Sequence, residues 1–137
     1  MPEINLGDSA WVLTSSALVL FMTPGLALFY GGMVRRKNVL NTIMSSFAIC
    51  GIASVMWVLI GFTMSFGNDM GGVVGGFNFL GLSGLDETLP YAPTIPALAF
   101  VAFQMMFAVI TPALITGALV ERMRFPALVS FVVLWSI

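Results

Sequence analysis

IPALAFVAFQMMFAVITPALITGALV, residues 95–120, runs for 26 residues without a charged side chain. About 20 apolar residues suffice to carry a helix across the ~30 Å hydrocarbon layer of a bilayer. Two more segments of comparable character precede it, Trp11–Val34 and Val39–Phe66. A fourth apolar run starts at Pro126, a good first-turn residue, and continues to Ile137. Its 12 residues would reach only ~18 Å as a helix. A half-spanning helix strands carbonyl groups in lipid, so the sequence is expected to be a piece of a longer protein. The fold class that follows is an all-α polytopic membrane protein with three full spans, the start of a fourth, and a connecting loop at 67–94.

Composition agrees. Of 137 residues, 59% are hydrophobic and 8% charged, against about a quarter charged in soluble domains. There is no histidine, and the single cysteine, Cys50, has no partner for a disulfide or a metal site. Neither a nucleophile with its base nor a metal cluster stands in the spans, so enzyme chemistry has no footing there. No cofactor is implied. The net charge of −1 and the lack of a long basic stripe argue against nucleic acid.

The opening MPEINLGDSA carries Glu3 and Asp8 but no Lys or Arg, so it lacks the positive region of a cleaved signal peptide. The first span is expected to be retained, capped by Asp8 or Ser9. Asn38 is expected to cap the second, and Thr94 followed by Pro96 reads as the start of the third. All five basic residues fall in two short connections: Arg35, Arg36 and Lys37, then Arg122 and Arg124. Glu3, Asp8, Asp69, Asp86 and Glu87 fall on the other side. The positive-inside rule then places the N-terminus and residues 67–94 outside and both basic connections in the cytoplasm.

The outer loop holds seven of the 14 glycines, yet no Gly-Lys-Ser/Thr follows them, so it is not a phosphate cradle. It reads as a compact surface loop without chemistry. Small residues recur four apart: Ala27 and Gly31, then Ser46, Cys50 and Ser54, then Ala113 and Gly117. Such rows let membrane helices approach closely. Pro24 and Pro112 are expected to bend their spans.

On the third span, Phe103, Phe107, Ile110 and Leu114 follow helical spacing and are expected to share a face. Such a stripe serves packing or lines a path. A phenyl face holds a cation by ~0.5–2 kcal/mol. Burying a bare ammonium-type ion costs tens of kcal/mol. With an alkylammonium pKa of ~10.4 as a stand-in, deprotonation at pH 7 costs only ~5 kcal/mol. An oily path behind aromatic rings therefore suits a species that sheds its proton and blocks Na⁺ or K⁺.

LVLFMTPGLALFYGGMVRRKNVLN (18–41), WVLIGFTMSFG (57–67) and AFQMMFAVITPALITGALVERMRF (102–125) together resemble the opening third of an ammonium transporter of the Amt class. The resemblance covers nearly the whole chain, in order and spacing. It implies a homotrimer of eleven-helix subunits in the cell membrane, each with a narrow hydrophobic pore carrying ammonium or ammonia. It implies that Phe107 is the gate and the aromatic wall of an outer recruitment site, with Phe103 flanking the vestibule. Leu114 would line the pore below, Phe29 would contribute to the inner constriction, and Leu26 and Tyr30 are weaker candidates beside it. Phe103 and Tyr30 fit plain packing equally well. Gln104 is expected to bond within the bundle, and Gly25, Gly31 and Gly32 to serve close helix contact. Glu121, Arg122 and Arg124 read as a helix-end arrangement. Relatives meet PII-type nitrogen-regulatory proteins on the cytoplasmic face, where Arg35, Arg36 and Lys37 lie; those charges equally fit a role in topology alone. The pore histidine pair, the outer tryptophan and its supporting aspartate would all lie beyond Ile137, so the fragment alone is expected to be inactive. An ammonium sensor sharing the same core, and a Rhesus-type channel, are the alternatives.

Overall fold

The computed structural model describes residues 3–137. Helix α1 spans Leu6–Met33, starting five residues before the expected Trp11. The reason lies in its cap: Asn5 Oδ1 accepts from the amides of Gly7 (2.8 Å) and Asp8 (3.2 Å). Asp8 and Ser9 are therefore first-turn residues, not caps. Asp8 sits where the positive helix end favours a carboxylate. The Asn5 amide also donates to Thr94 O at 2.8 Å, tying the start of α1 to the start of the third span.

A short 3₁₀ turn, Arg36–Asn38, leads into α2, Val39–Met56. The second span then widens into a π turn at Trp57–Gly61 before ending as α3, Phe62–Phe66. Asn38 does sit at the cap position of α2, but its side chain makes no capping bond. Helix α4 covers Ala97–Leu119 with Pro96 at its cap position. Thr94 lies in a strand instead, and its carbonyl accepts from the Asn5 amide. Helix α5, Phe125–Trp135, begins with Pro126 in its first turn. Three helical stretches, 6–33, 36–66 and 97–119, are long and apolar enough to cross a membrane. Both α1 and α4 stay helical through Pro24 and Pro112.

Many hydroxyl groups in these spans hide by donating to the carbonyl one turn back, although Thr23 Oγ1 is buried without a partner among the described residues. Thr14, Ser16, Thr42, Ser45, Ser54, Thr111 and Ser130 all do so at 2.7–3.0 Å. Such bonding lets a polar side chain sit in an apolar helix without an orphan donor.

Helices α1, α2 and α4 pack against one another in pairs, with Ala27, Ile49, Ala53, Val109 and Ala113 almost fully buried among them. Small residues at this seam let the backbones close up. Gly31 is buried, and a Cβ there would meet Ile43 at 3.2 Å. Gly25 and Gly32 meet nothing within 4 Å among the described residues, so the close contact expected of all three glycines is seen at Gly31 alone within this chain. Helix α5 lies against α2 through Ile49, Leu128 and Val132.

The segment between α3 and α4 is built rather than loose. Strands β1 (Asp69–Met70) and β2 (Val74–Gly75) form a hairpin, a 3₁₀ stretch follows at Phe77–Leu82, and β3 (Thr88–Leu89) pairs with β4 (Ala92–Pro96). These short strands are the only departure from the all-helical expectation among the described residues. Thr63 anchors the segment: its hydroxyl donates to Gly76 O (2.6 Å) and accepts from Phe79 N (3.0 Å). A Cβ at Gly75 would strike the carbonyls of Thr63 and Met64, so only glycine lets the hairpin press this closely on α3. Beneath it, the rings of Trp57, Phe62, Phe66, Phe79 and Phe100 pack around Leu89, Ala97 and Val101.

Candidate functional site

A groove of about 460 Å³ opens along the side of the bundle, between α2 with its π turn, α4 and the last residues of the chain. Gln104, Phe107, Ala108 and Thr111 of α4 form one wall, and Trp57 and Gly61 contribute the other. The widened turn donates from the Phe62 amide to Trp57 O. Gly61 makes room there, since a Cβ would lie 3.0 Å from the Trp57 ring. The indole N–H of Trp57 is buried without a partner among the described residues.

Phe103 and Phe107 lie one turn apart with ring centroids 5.2 Å apart and nearly perpendicular planes, 77°. Edge-to-face pairs of this kind hold both rings in place. Phe107 is 44% exposed and lines the groove; Phe103 is half-buried behind it and is not a lining residue. Leu114 is also exposed, about two turns further along α4. Ile110 departs from the expected stripe: it is buried, and Thr111, which lines the groove, takes its place on the open wall. A period of 3.6 puts both 110 and 111 within reach of that face, so spacing alone did not separate them.

Gln104 also departs from expectation. It makes no side-chain hydrogen bond among the described residues and lines the groove beside Phe107. Pro112 adds a second polar feature. Lacking an N–H, it leaves the carbonyl of Ala108, another lining residue, without its helical donor.

At the other end of the wall, Tyr30 Oη donates to Leu114 O at 3.0 Å, joining α1 to α4. Gly117 makes the seat for this ring, because a Cβ there would come within 2.5 Å of it. Phe29 is exposed, 5.8 Å from Tyr30 by ring centroid, and Leu26 is half-buried one turn earlier. The structure thus forms two groups, Phe103 with Phe107 and Tyr30 with Phe29 and Leu114, joined along one face of α4.

Beyond Leu119 the chain turns back at Glu121, a non-glycine residue at φ +61°. Its carboxylate reaches across to the other basic connection. Glu121 Oε1 accepts from Asn38 Nδ2 (2.8 Å) and from the Arg35 amide (3.1 Å). The Asn38 bond first and the Arg35 amide second hold the carboxyl below its ordinary value of 4.5, with the charges of Arg35 and Lys37 acting in the same direction. Glu121 therefore clasps the α1–α2 connection, which reading the 121–124 segment by itself as a helix end does not reveal. Arg35, Arg36 and Lys37 are all exposed at this end.

The sequence profile of the Ammonium Transporter Family matches residues 10–137. An ammonium transporter of Mycobacterium tuberculosis (strain ATCC 25618 / H37Rv) is 49% identical over 146 residues, 95% of this chain and 31% of its own. A putative ammonium transporter of Methanothermobacter thermautotrophicus is 49% identical over 134 residues, 96% of this chain and 33% of its own. The crystal structure of Candida albicans Mep2 superposes with a TM-score of 0.83 at 28% identity, covering 97% of this chain and 29% of that one. The chain thus spans about a third of the length of the relatives it matches. Three helices of membrane-spanning length and a match over nearly the whole sequence lead to one assignment: this chain is a multi-pass membrane protein belonging to the Ammonium Transporter Family.

Proposed function

We propose that this chain acts as the N-terminal third of an ammonium transporter and contributes the aromatic gate and one wall of the conducting path. The observation that carries the reading is the placement of Phe107. Its ring is braced by Phe103 at 5.2 Å, yet it is open to a groove that Gln104 and Ala108 also line. A phenyl face and neutral acceptors attract a small cation without pairing it with a fixed negative charge. Phe107 contributes ~0.5–2 kcal/mol of attraction, and oxygen acceptors replace part of the lost hydration.

Further along α4 the wall becomes apolar at Leu114, with Phe29 and Leu26 on α1 nearby and Tyr30 pinned to Leu114 O. Carrying the charged form into such a lining costs tens of kcal/mol. Loss of the proton at ~5 kcal/mol is the cheaper course. Recruitment as ammonium, deprotonation near the rings, and passage of ammonia past Leu114 and Phe29 follow from that difference. The family resemblance gives the role of proton acceptor to a histidine pair, and this chain has no histidine. By itself the chain does not transport.

The same proposal places the N-terminal end and the 67–94 segment outside the cell and the two basic connections in the cytoplasm. It takes the working unit to be a homotrimer of eleven-helix subunits and gives Arg35, Arg36 and Lys37 to the face a PII-type regulator would meet. The test is transport by the complete protein reconstituted in liposomes. Phe107→Ala should change methylammonium uptake or selectivity against K⁺ far more than Phe103→Ala. Equal and negligible effects of the two substitutions would remove the gate assignment.

A further inference from the structure

The two basic connections meet around a cleft of about 650 Å³ at one end of the bundle, lined by Arg35, Lys37, Asn38, Gly117, Ala118, Val120, Glu121 and Arg122. Three of these are cations, drawn from segments more than 80 residues apart in sequence. Glu121 is the one carboxylate in the lining, and its Oε1 is already occupied by Asn38 and the Arg35 amide. A cleft with three positive side chains and a single engaged acid favours an anion. The N-terminus of α2 opens beside it at Asn38, whose side chain caps nothing in its own helix. Two other basic residues of the same connections, Arg36 and Arg124, do not line the cleft.

A smaller cavity of about 250 Å³ adjoins it through Gly117, Ala118, Val120 and Glu121, and it is walled by Tyr30, Met33 and Val34. Charge at the mouth and apolar side chains behind it match a ligand with an anionic head and a nonpolar body. Basic pockets between helices at the membrane surface hold phosphate-bearing headgroups through this same pairing of charge and depth.

We propose that this cleft binds a phosphate group, supplied by the headgroup of an acidic phospholipid or by free phosphate, through Arg35, Lys37 and Arg122. The Glu121 clasp shapes the site by holding both connections at a fixed separation. The proposal concerns binding at the basic end and does not rest on the transport mechanism.

The experiment compares two double variants in the longest natural chain that carries this sequence, purified in detergent. Lys37→Gln with Arg122→Gln removes two charges from the cleft. Arg36→Gln with Arg124→Gln removes two from the same connections outside it. Binding of labelled short-chain phosphatidylglycerol and of labelled inorganic phosphate is measured for each, with phosphatidylcholine as the zwitterionic comparison. The first pair should weaken binding by about tenfold or more, and the second by less than about threefold. Binding of phosphatidylglycerol alone would assign the site to a lipid headgroup, and binding of both ligands to the phosphate itself. Equal losses in the two double variants would reduce the effect to diffuse loop charge and overturn the proposal. Failure of the unaltered protein to bind either probe at millimolar concentration would overturn it as well.

Discussion

Gly117→Ala tests the joint between α1 and α4 most sharply, because its effect should change sign with the residue at 30. An added Cβ would lie 2.5 Å from Cζ and from the hydroxyl oxygen of Tyr30. The ring cannot yield without giving up its 3.0 Å bond to Leu114 O. Overpacking costs about 1–3 kcal/mol, and the lost bond adds about 1 kcal/mol. Alanine returns about 1 kcal/mol through its better helix propensity. The net expectation is a loss of about 1–3 kcal/mol. With Tyr30→Ala already present there is no ring to strike, and Gly117→Ala should then stabilise by about 1 kcal/mol. The two sites are thus coupled by about 2–4 kcal/mol. The assay is the unfolding free energy of the four forms of the complete protein in one detergent. Additivity within about 0.5 kcal/mol would show that Tyr30 does not occupy the space above Gly117.

Thr63→Val leaves the Gly76 carbonyl and the Phe79 amide without their shared hydroxyl partner, in a site where Thr63 is 1% exposed. It should lower stability by about 2–4 kcal/mol. Limited proteolysis should then cut first within 67–96, and cutting elsewhere would argue against the anchor. Glu121 supplies the pH dependence. Its carboxyl is held below 4.5 in the folded protein, so its contribution is whole above that value and is lost as pH falls through the lower, folded one. Melting temperature followed downward from pH 7 should therefore fall more steeply for the unaltered protein than for Glu121→Gln, and parallel curves would contradict the clasp.

Much of this architecture can be read from hydropathy, because an uncharged run of 26 residues leaves an α-helix as the simplest structure that satisfies its own backbone. Of the residues singled out in the sequence, Phe107 lines the groove and Tyr30 bonds to Leu114 O, neighbourhoods that helical spacing alone does not give. What escaped the sequence was set by tertiary partners. Asn5, not Asp8 or Ser9, caps α1 because its own carbonyl and amide are fixed by α1 and β4. Gly25 and Gly32 look like Gly31 in sequence, yet among the described residues Gly31 alone of the three faces another helix. The π turn at Trp57–Gly61 leaves no mark in composition, though it shapes one wall of the groove. Glu121 sits beside Arg122 and Arg124 in sequence, and only the folded chain reveals that its carboxylate reaches to Arg35 and Asn38.

The most direct measurement is a structure of the complete protein with methylammonium bound. The account predicts the cation against the Phe107 ring, within about 6 Å of its centroid, and a path that continues beside Leu114. A ligand following another helix, with the side chains of Phe103 and Phe107 both turned to lipid, would contradict it.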